Sequence, residues 1–213
     1  HFSRTMSSGI RLTALLTIPA SCGLLVMSKP IIGLLFQHGN FSAAATENTA
    51  RALSGLAIGL AGFSIYLFVL RGFYARNDTR TPFFINIGEN AINIVLAIVL
   101  VDRHGVFGLG LAFSIAYLVS ALVALLVLES TEVDIKLSEL AFNIARISFA
   151  AGAMTCAVWF VIQYIGSDAG LGALTRVIAG TLIGVTTYVV ALSALGEKTM
   201  RDYLSSKITK SSR

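Results

Sequence analysis

The chain has 213 residues, of which 55% are hydrophobic and only 13% charged, with a mean hydropathy of +0.80 and a formal charge of +5 at pH 7. A soluble chain is nearer a quarter charged, so composition excludes an ordinary water-soluble enzyme or binding domain. The basic residues lie mostly between and beyond the apolar blocks, where anionic headgroups and loop orientation account for them, so the charge does not point to nucleic acid.

Six blocks reach the length of about 20 apolar residues that crosses a bilayer as a helix: 7–27, 53–70, 83–101, 106–128, 140–165 and 177–195. In hydrocarbon the backbone must satisfy its own polar groups, and the alternating strands of a barrel are not seen. The expected fold class is therefore all-α, a polytopic membrane bundle of six transmembrane helices.

The first block carries Pro19 at its centre, where the missing amide and the ring's clash with the preceding turn predict a kink. That kink can serve packing alone or act as a hinge during transport. The stretch 29–42, KPIIGLLFQHGNFS, is too short to cross and is interrupted by Pro30 and Gly39, which predicts an interfacial turn anchored by Phe36 and Phe41. In the second block Gly55 and Gly59, and in the sixth Gly180 and Gly184, stand four apart and predict faces on which helices pack closely.

The loop GFYARNDTRTP, residues 72–82, follows Arg71 and combines Tyr74, Arg76, Asp78, Thr79, Arg80, Thr81 and Pro82. Positive-inside anchoring is the plain account of its basic residues; Pro82 suits the first turn of the third block, with Thr79 or Thr81 as its cap. Within that block Asn86, Glu89, Asn90 and Asn93 recur at spacings of three and four and share one stripe. An ionisable residue there is costly to expose to lipid, so the stripe is expected to face the interior, as a hydrogen-bond network between helices or as a substrate or coupling site. Gly105, Gly108 and Gly110 open the fourth block, where a turn and close packing explain them without a phosphate.

Orientation follows from lysine and arginine, in which translocated loops are depleted. Twelve of the sixteen fall on one side: Arg4, Arg11, Arg71, Arg76, Arg80, Lys136, Arg146 and five in the tail, residues 197–213. Lys29, Arg51, Arg103 and Arg176 fall on the other. Six crossings return the chain to its starting side, so both ends are expected in the cytoplasm.

No Walker-type glycine loop is present, which argues against ATP hydrolysis. His38 and His104 lack ligand spacing, and Cys22 and Cys156 read as buried filler, so neither a metal nor a cofactor is expected. No constellation argues for an enzyme. The first residue is His1 and no signal peptide precedes the first block, so the chain reads as a fragment.

Pro19 followed by IIGLLFQHGNFSAAATENTARAL, then GFYARNDTRTP, then Asn93 and GVFGLGLAFSIA, resembles the MviN/MurJ family of lipid II flippases, within the multidrug/oligosaccharidyl-lipid/polysaccharide exporter superfamily. The run FYARNDTRTP is the most specific piece. The likeness covers the chain to about Leu128, and the last two blocks in length and placement only. It implies a fourteen-helix transporter of the bacterial cytoplasmic membrane that carries lipid II, an undecaprenyl-diphosphate-linked sugar peptide, across by alternating access. Residues 1–130 would then complete its second lobe, together with upstream transmembrane helices. Residues 131–213 would supply a terminal hairpin, whose apolar groove holds the prenyl tail among membrane lipids, and a basic tail. The family's diphosphate-binding arginines lie mainly upstream of His1, so no residue here takes that role. Rival readings are a related O-antigen or multidrug exporter, a non-transporting scaffold for cell-wall proteins, and a lipid-modifying enzyme.

Overall fold

The computed structural model describes residues 2–131 and 137–195. They form α1 (Phe2–Phe36), α2 (Ala43–Ala75), α3 (Arg80–Ser130), α4 (Leu137–Tyr164) and α5 (Gly170–Ala194). All five are long and apolar enough to cross a membrane. The all-α expectation holds, whereas the six separate helices do not appear. The third and fourth apolar blocks are carried by the single element α3, which contains one break, at Gly105 (φ 57°, ψ −136°). Asp102, Arg103 and His104, the polar residues between those two blocks, stay helical. Three polar residues do not stop a helix, and only glycine takes that positive φ without strain.

A second boundary also moves. The helix α1 runs through Pro30 as far as Phe36, so the turn is confined to residues 37–42, with Gly39 at φ 61°. A proline removes one helical bond and pushes on the preceding turn, which bends a long helix that neighbours hold in place without ending it. The Phe36 and Phe41 rings do meet there, with centroids 6.0 Å apart. Lys136 and the basic tail, residues 197–213, lie outside the described residues.

The helix α2 is antiparallel to α1: Gly9 packs on Phe68 and Gly72 on Met6. Its glycines then seat the second arm of α3, in a register that pairs Gly55 with Gly110, Gly59 with Ser114, and Gly62 with Leu118. Numbering rises together on both, so that arm runs parallel to α2. The first arm of α3 therefore travels the opposite way, from the turn after α2 to Gly105. The Ser114 hydroxyl donates to the Gly55 carbonyl at 2.6 Å, a bond possible only because neither glycine holds the backbones apart. The terminal pair, α4 and α5, is antiparallel, with Gly180 and Gly184 against Val158 and Met154, and Gly180 also against Met27 of α1. Both glycine pairs singled out in the sequence thus face neighbouring helices.

The buried core joins Ile10 and Ala14 of α1, Tyr66, Val69 and Phe73 of α2, Leu128 of α3, Ile147 and Val158 of α4, and Leu192 of α5. Outside it, Leu16, Phe84, Ile98, Phe149, Trp159 and Leu182 are exposed. Apolar surface on this scale is untenable in water and ordinary against acyl chains.

The two ends of the bundle carry different charges. At one end Arg76 donates to the Thr131 hydroxyl at 2.6 Å, joining the α2–α3 turn to the end of α3. At the other, Lys29 pairs with Glu47 (3.3 Å) and Asp168 (3.4 Å), Glu47 with Arg51, and Asp168 with Arg176. Arg51 shares a cavity with Arg103 and His104. The four basic residues set apart in the sequence, Lys29, Arg51, Arg103 and Arg176, therefore gather at one end.

Candidate functional site

The polar stripe of α3 divides in the fold. Glu89 is buried, 2% exposed, between α2 and the arms of α3, within electrostatic reach of the Tyr66 and Tyr117 phenols. Tyr66, Phe63, Phe113 and Tyr117 form one aromatic cluster, with Tyr117 4.4 to 5.5 Å from the other three ring centroids. Asn86 and Asn90, on the same stripe, are exposed on this chain's surface. One residue is 100° of helix turn, so Glu89 and Asn90 cannot both point to the centre. The amides still serve the carboxylate's neighbourhood: the Asn90 side chain donates to Glu89 Oε2 (2.9 Å), to Asn86 Oδ1 (3.0 Å) and to the Asn86 carbonyl (2.9 Å). Asn93, one turn further on, is half-buried and lines a cavity of about 370 Å³ with Ala52, Leu56, Ala97 and Phe113.

A buried carboxylate flanked by amides and phenols can take up a proton or a cation, because both relieve the cost of keeping charge out of water. At the centre of a bilayer that cost is about 2.5–3.5 kcal/mol on the mildest scale. The aromatic cluster supplies the dry wall and the amides the polar rim.

The loop after α2 is built for local geometry. Asn77 sits at φ 59°, and the Asp78 carboxylate accepts from the amides of Arg80 (3.1 Å) and Thr81 (3.0 Å) at the start of α3. Asp78 is therefore the side chain that caps the helix; of the two threonines expected in that role, Thr79 makes no side-chain cap bond and Thr81 gives its amide to Asp78. Hydrogen bonds from Thr81, first through its side chain and then its backbone, hold the Asp78 carboxyl below its ordinary value of 3.8. Pro82 falls in the first turn, where no amide is needed, and is buried. Arg71, Tyr74, Arg76 and Arg80 remain exposed around this turn.

Pro19 borders an apolar groove of about 560 Å³ between α1, α4 and α5, with Leu15, Met27, Val158 and Tyr188 among its walls. Tyr188 donates its hydroxyl to the Leu15 carbonyl at 2.7 Å. Sequence reasoning missed Tyr188 and the ion network of Lys29, Glu47, Asp168 and Arg176. The available signals were the carbonyl that Pro19 leaves open and the isolated charges flanking apolar blocks. Neither names its partner until the helices are packed.

Comparison with known proteins places these features in a family. A family model described as lipid II flippase MurJ matches residues 1–180. The chain is 29% identical over 198 residues to the probable lipid II flippase MurJ of Vibrio cholerae, covering 92% of this chain and 38% of that protein. It is 31% identical over 183 residues to the corresponding protein of Rhizobium meliloti, covering 86% and 34%. A solved structure of lipid II flippase MurJ in an inward closed conformation, 24% identical, superposes with a TM-score of 0.79 over 94% of this chain and 40% of that one, a likeness of fold. The chain thus spans a little over a third of the relatives it matches.

Proposed function

This chain belongs to the lipid II flippase MurJ family, and we propose that it works as the C-terminal part of a transporter that moves lipid II across the bacterial cytoplasmic membrane. The observation that carries the reading is the family match over residues 1–180. The chemistry is consistent. A diphosphate and a sugar-peptide head cannot enter about 30 Å of hydrocarbon unaided, so a polar cavity must carry the head while the tail stays in an apolar environment. The groove beside Pro19 suits a long alkyl tail, being lined almost wholly by apolar side chains.

On this reading each arm of α3 crosses the membrane, which restores six crossings: the reversal at Gly105 and the parallel packing of the second arm on α2 support it. Residues 1–130 would complete a lobe whose other helices lie upstream, and residues 131–213 would form the terminal hairpin and tail. The end holding Lys29, Arg51, Arg103 and Arg176 would face outward, leaving both chain ends in the cytoplasm.

Glu89, with Asn86, Asn90 and Asn93, would be the coupling site, exchanging a proton or cation as the lobe changes shape. A membrane potential supplies about 2.3 kcal/mol per charge per 100 mV. Replacing Glu89 with Gln in the full-length protein keeps the shape and removes the charge. Loss of lipid II inversion in a normally inserted protein is the expected result, and unchanged inversion would reduce Glu89 to packing.

A further inference from the structure

Pro19 has no amide hydrogen, so the Leu15 carbonyl, four residues earlier, loses the helical bond it would otherwise accept. Inside a membrane bundle no water is at hand to replace it. The nearby hydroxyls of α1 do not serve it: Thr13 donates to the Gly9 carbonyl and Thr17 to the Thr13 carbonyl. The donor comes instead from α5, where the Tyr188 hydroxyl reaches the Leu15 oxygen at 2.7 Å in a buried bond across 173 positions of sequence. Leu15 and Tyr188 are each 8% exposed. Leu15, Pro19 and Tyr188 also line the same apolar groove.

We propose that Tyr188 is a positioning residue of the transport cycle: its hydroxyl closes the bond that Pro19 opens, and so fixes the bend of α1 against the terminal hairpin. This rests on the transport reading above. The proline, the carbonyl it leaves open and the hydroxyl that fills it all lie on the wall of one groove. A change in the bend of α1 must stretch the Tyr188 bond, and a molecule that wedges the groove open must do the same. Tyr188 thereby ties the width of the groove to the shape of α1, which packs on both α2 and the hairpin.

The test is a double-mutant cycle in the full-length flippase. Tyr188→Phe keeps the ring and removes the donor. Pro19→Ala restores an amide that can satisfy Leu15 within α1. Thermal unfolding in one detergent and lipid II inversion in vesicles are measured for the wild type, both single variants and the double variant. In the Pro19 background Tyr188→Phe is expected to shift the unfolding equilibrium about threefold, the usual size for a hydrogen bond between membrane helices, and to change the inversion rate. In the Pro19→Ala background the same change is expected to move neither. An equal loss of stability in both backgrounds would overturn the pin. Coupled stabilities with an unaltered inversion rate would overturn the positioning role. A wild-type protein that inverts no lipid II contradicts the transport reading, and with it that role, even where the stability coupling is found.

Discussion

Replacing Gly110 with alanine tests the packing of α3 on α2, because the close approach there is made by backbone alone. A Cβ at Gly110 would stand 2.8 Å from the Leu56 nitrogen and 2.9 Å from both the Ala52 carbonyl oxygen and the Gly55 carbonyl carbon. No side-chain rotation relieves contacts with backbone, and comfortable separations begin at about 3.5 Å, so the helices must part by ~0.6 Å. Overpacking of this kind costs about 1–3 kcal/mol. Against it stands the gain of about 1 kcal/mol that alanine brings to a helix in place of glycine. The net expectation is a loss of about 1 kcal/mol. At Gly152 on α4, by contrast, a Cβ meets nothing within 4 Å, so Gly152→Ala keeps the gain alone. The two variants should differ by ~2 kcal/mol, roughly thirtyfold in the unfolding equilibrium. Denaturation of the full-length protein in one detergent reads this difference. Equal stabilities for the two variants would mean that the Gly55–Gly110 register is wrong.

The Asp78 cap predicts an acid limit: with a folded pKa below 3.8, its contribution is complete above the ordinary carboxylate range and is lost as pH falls through the lowered value. Thermal unfolding of Asp78→Asn, which keeps an acceptor but cannot titrate, should lack that acid step; an identical profile would remove Asp78 from the cap. Arg176→Ala should cost more than Lys29→Ala, since Arg176 is 18% exposed and also donates to the Ile165 carbonyl, while Lys29 is 50% exposed. The Lys29 effect, about 0–1 kcal/mol, should vanish in 1 M salt; a larger loss for Lys29 would invert the ranking. Cysteines at Thr79 and at Leu171 should be labelled from opposite faces of the membrane, Thr79 from the cytoplasm, and labelling from one face would overturn the layout.

The long apolar runs were legible because lipid demands them, and the glycine pairs because small residues four apart have few other uses in such helices. Among the described residues, the smaller basic set read from sequence, Lys29, Arg51, Arg103 and Arg176, gathers at one end of the fold. What was not legible depended on continuity or on distant partners. The stretch 102–104 reads as a loop by polarity, yet one glycine suffices for the reversal and the helix resumes at once. Pro30 reads as a stop, but neighbouring helices hold α1 in shape through it. The cost of a carboxylate in lipid made the burial of Glu89 legible, whereas spacing alone does not say what the Asn86 and Asn90 side of α3 meets. The cap fell to Asp78 instead of a threonine because the positive φ at Asn77 brings its carboxylate over the first amides of α3. Tyr188 was invisible, since an open carbonyl calls for a donor without saying which of several helices provides it.

Inversion of labelled lipid II by the purified full-length protein in vesicles, with an O-antigen-type lipid and an amphiphilic cation offered in parallel, tests the proposed transport of lipid II most directly. Inversion of lipid II above protein-free vesicles, with neither rival moved at a comparable rate, is the predicted result. Preferential movement of either rival, or no movement of lipid II by a correctly inserted protein, would contradict it.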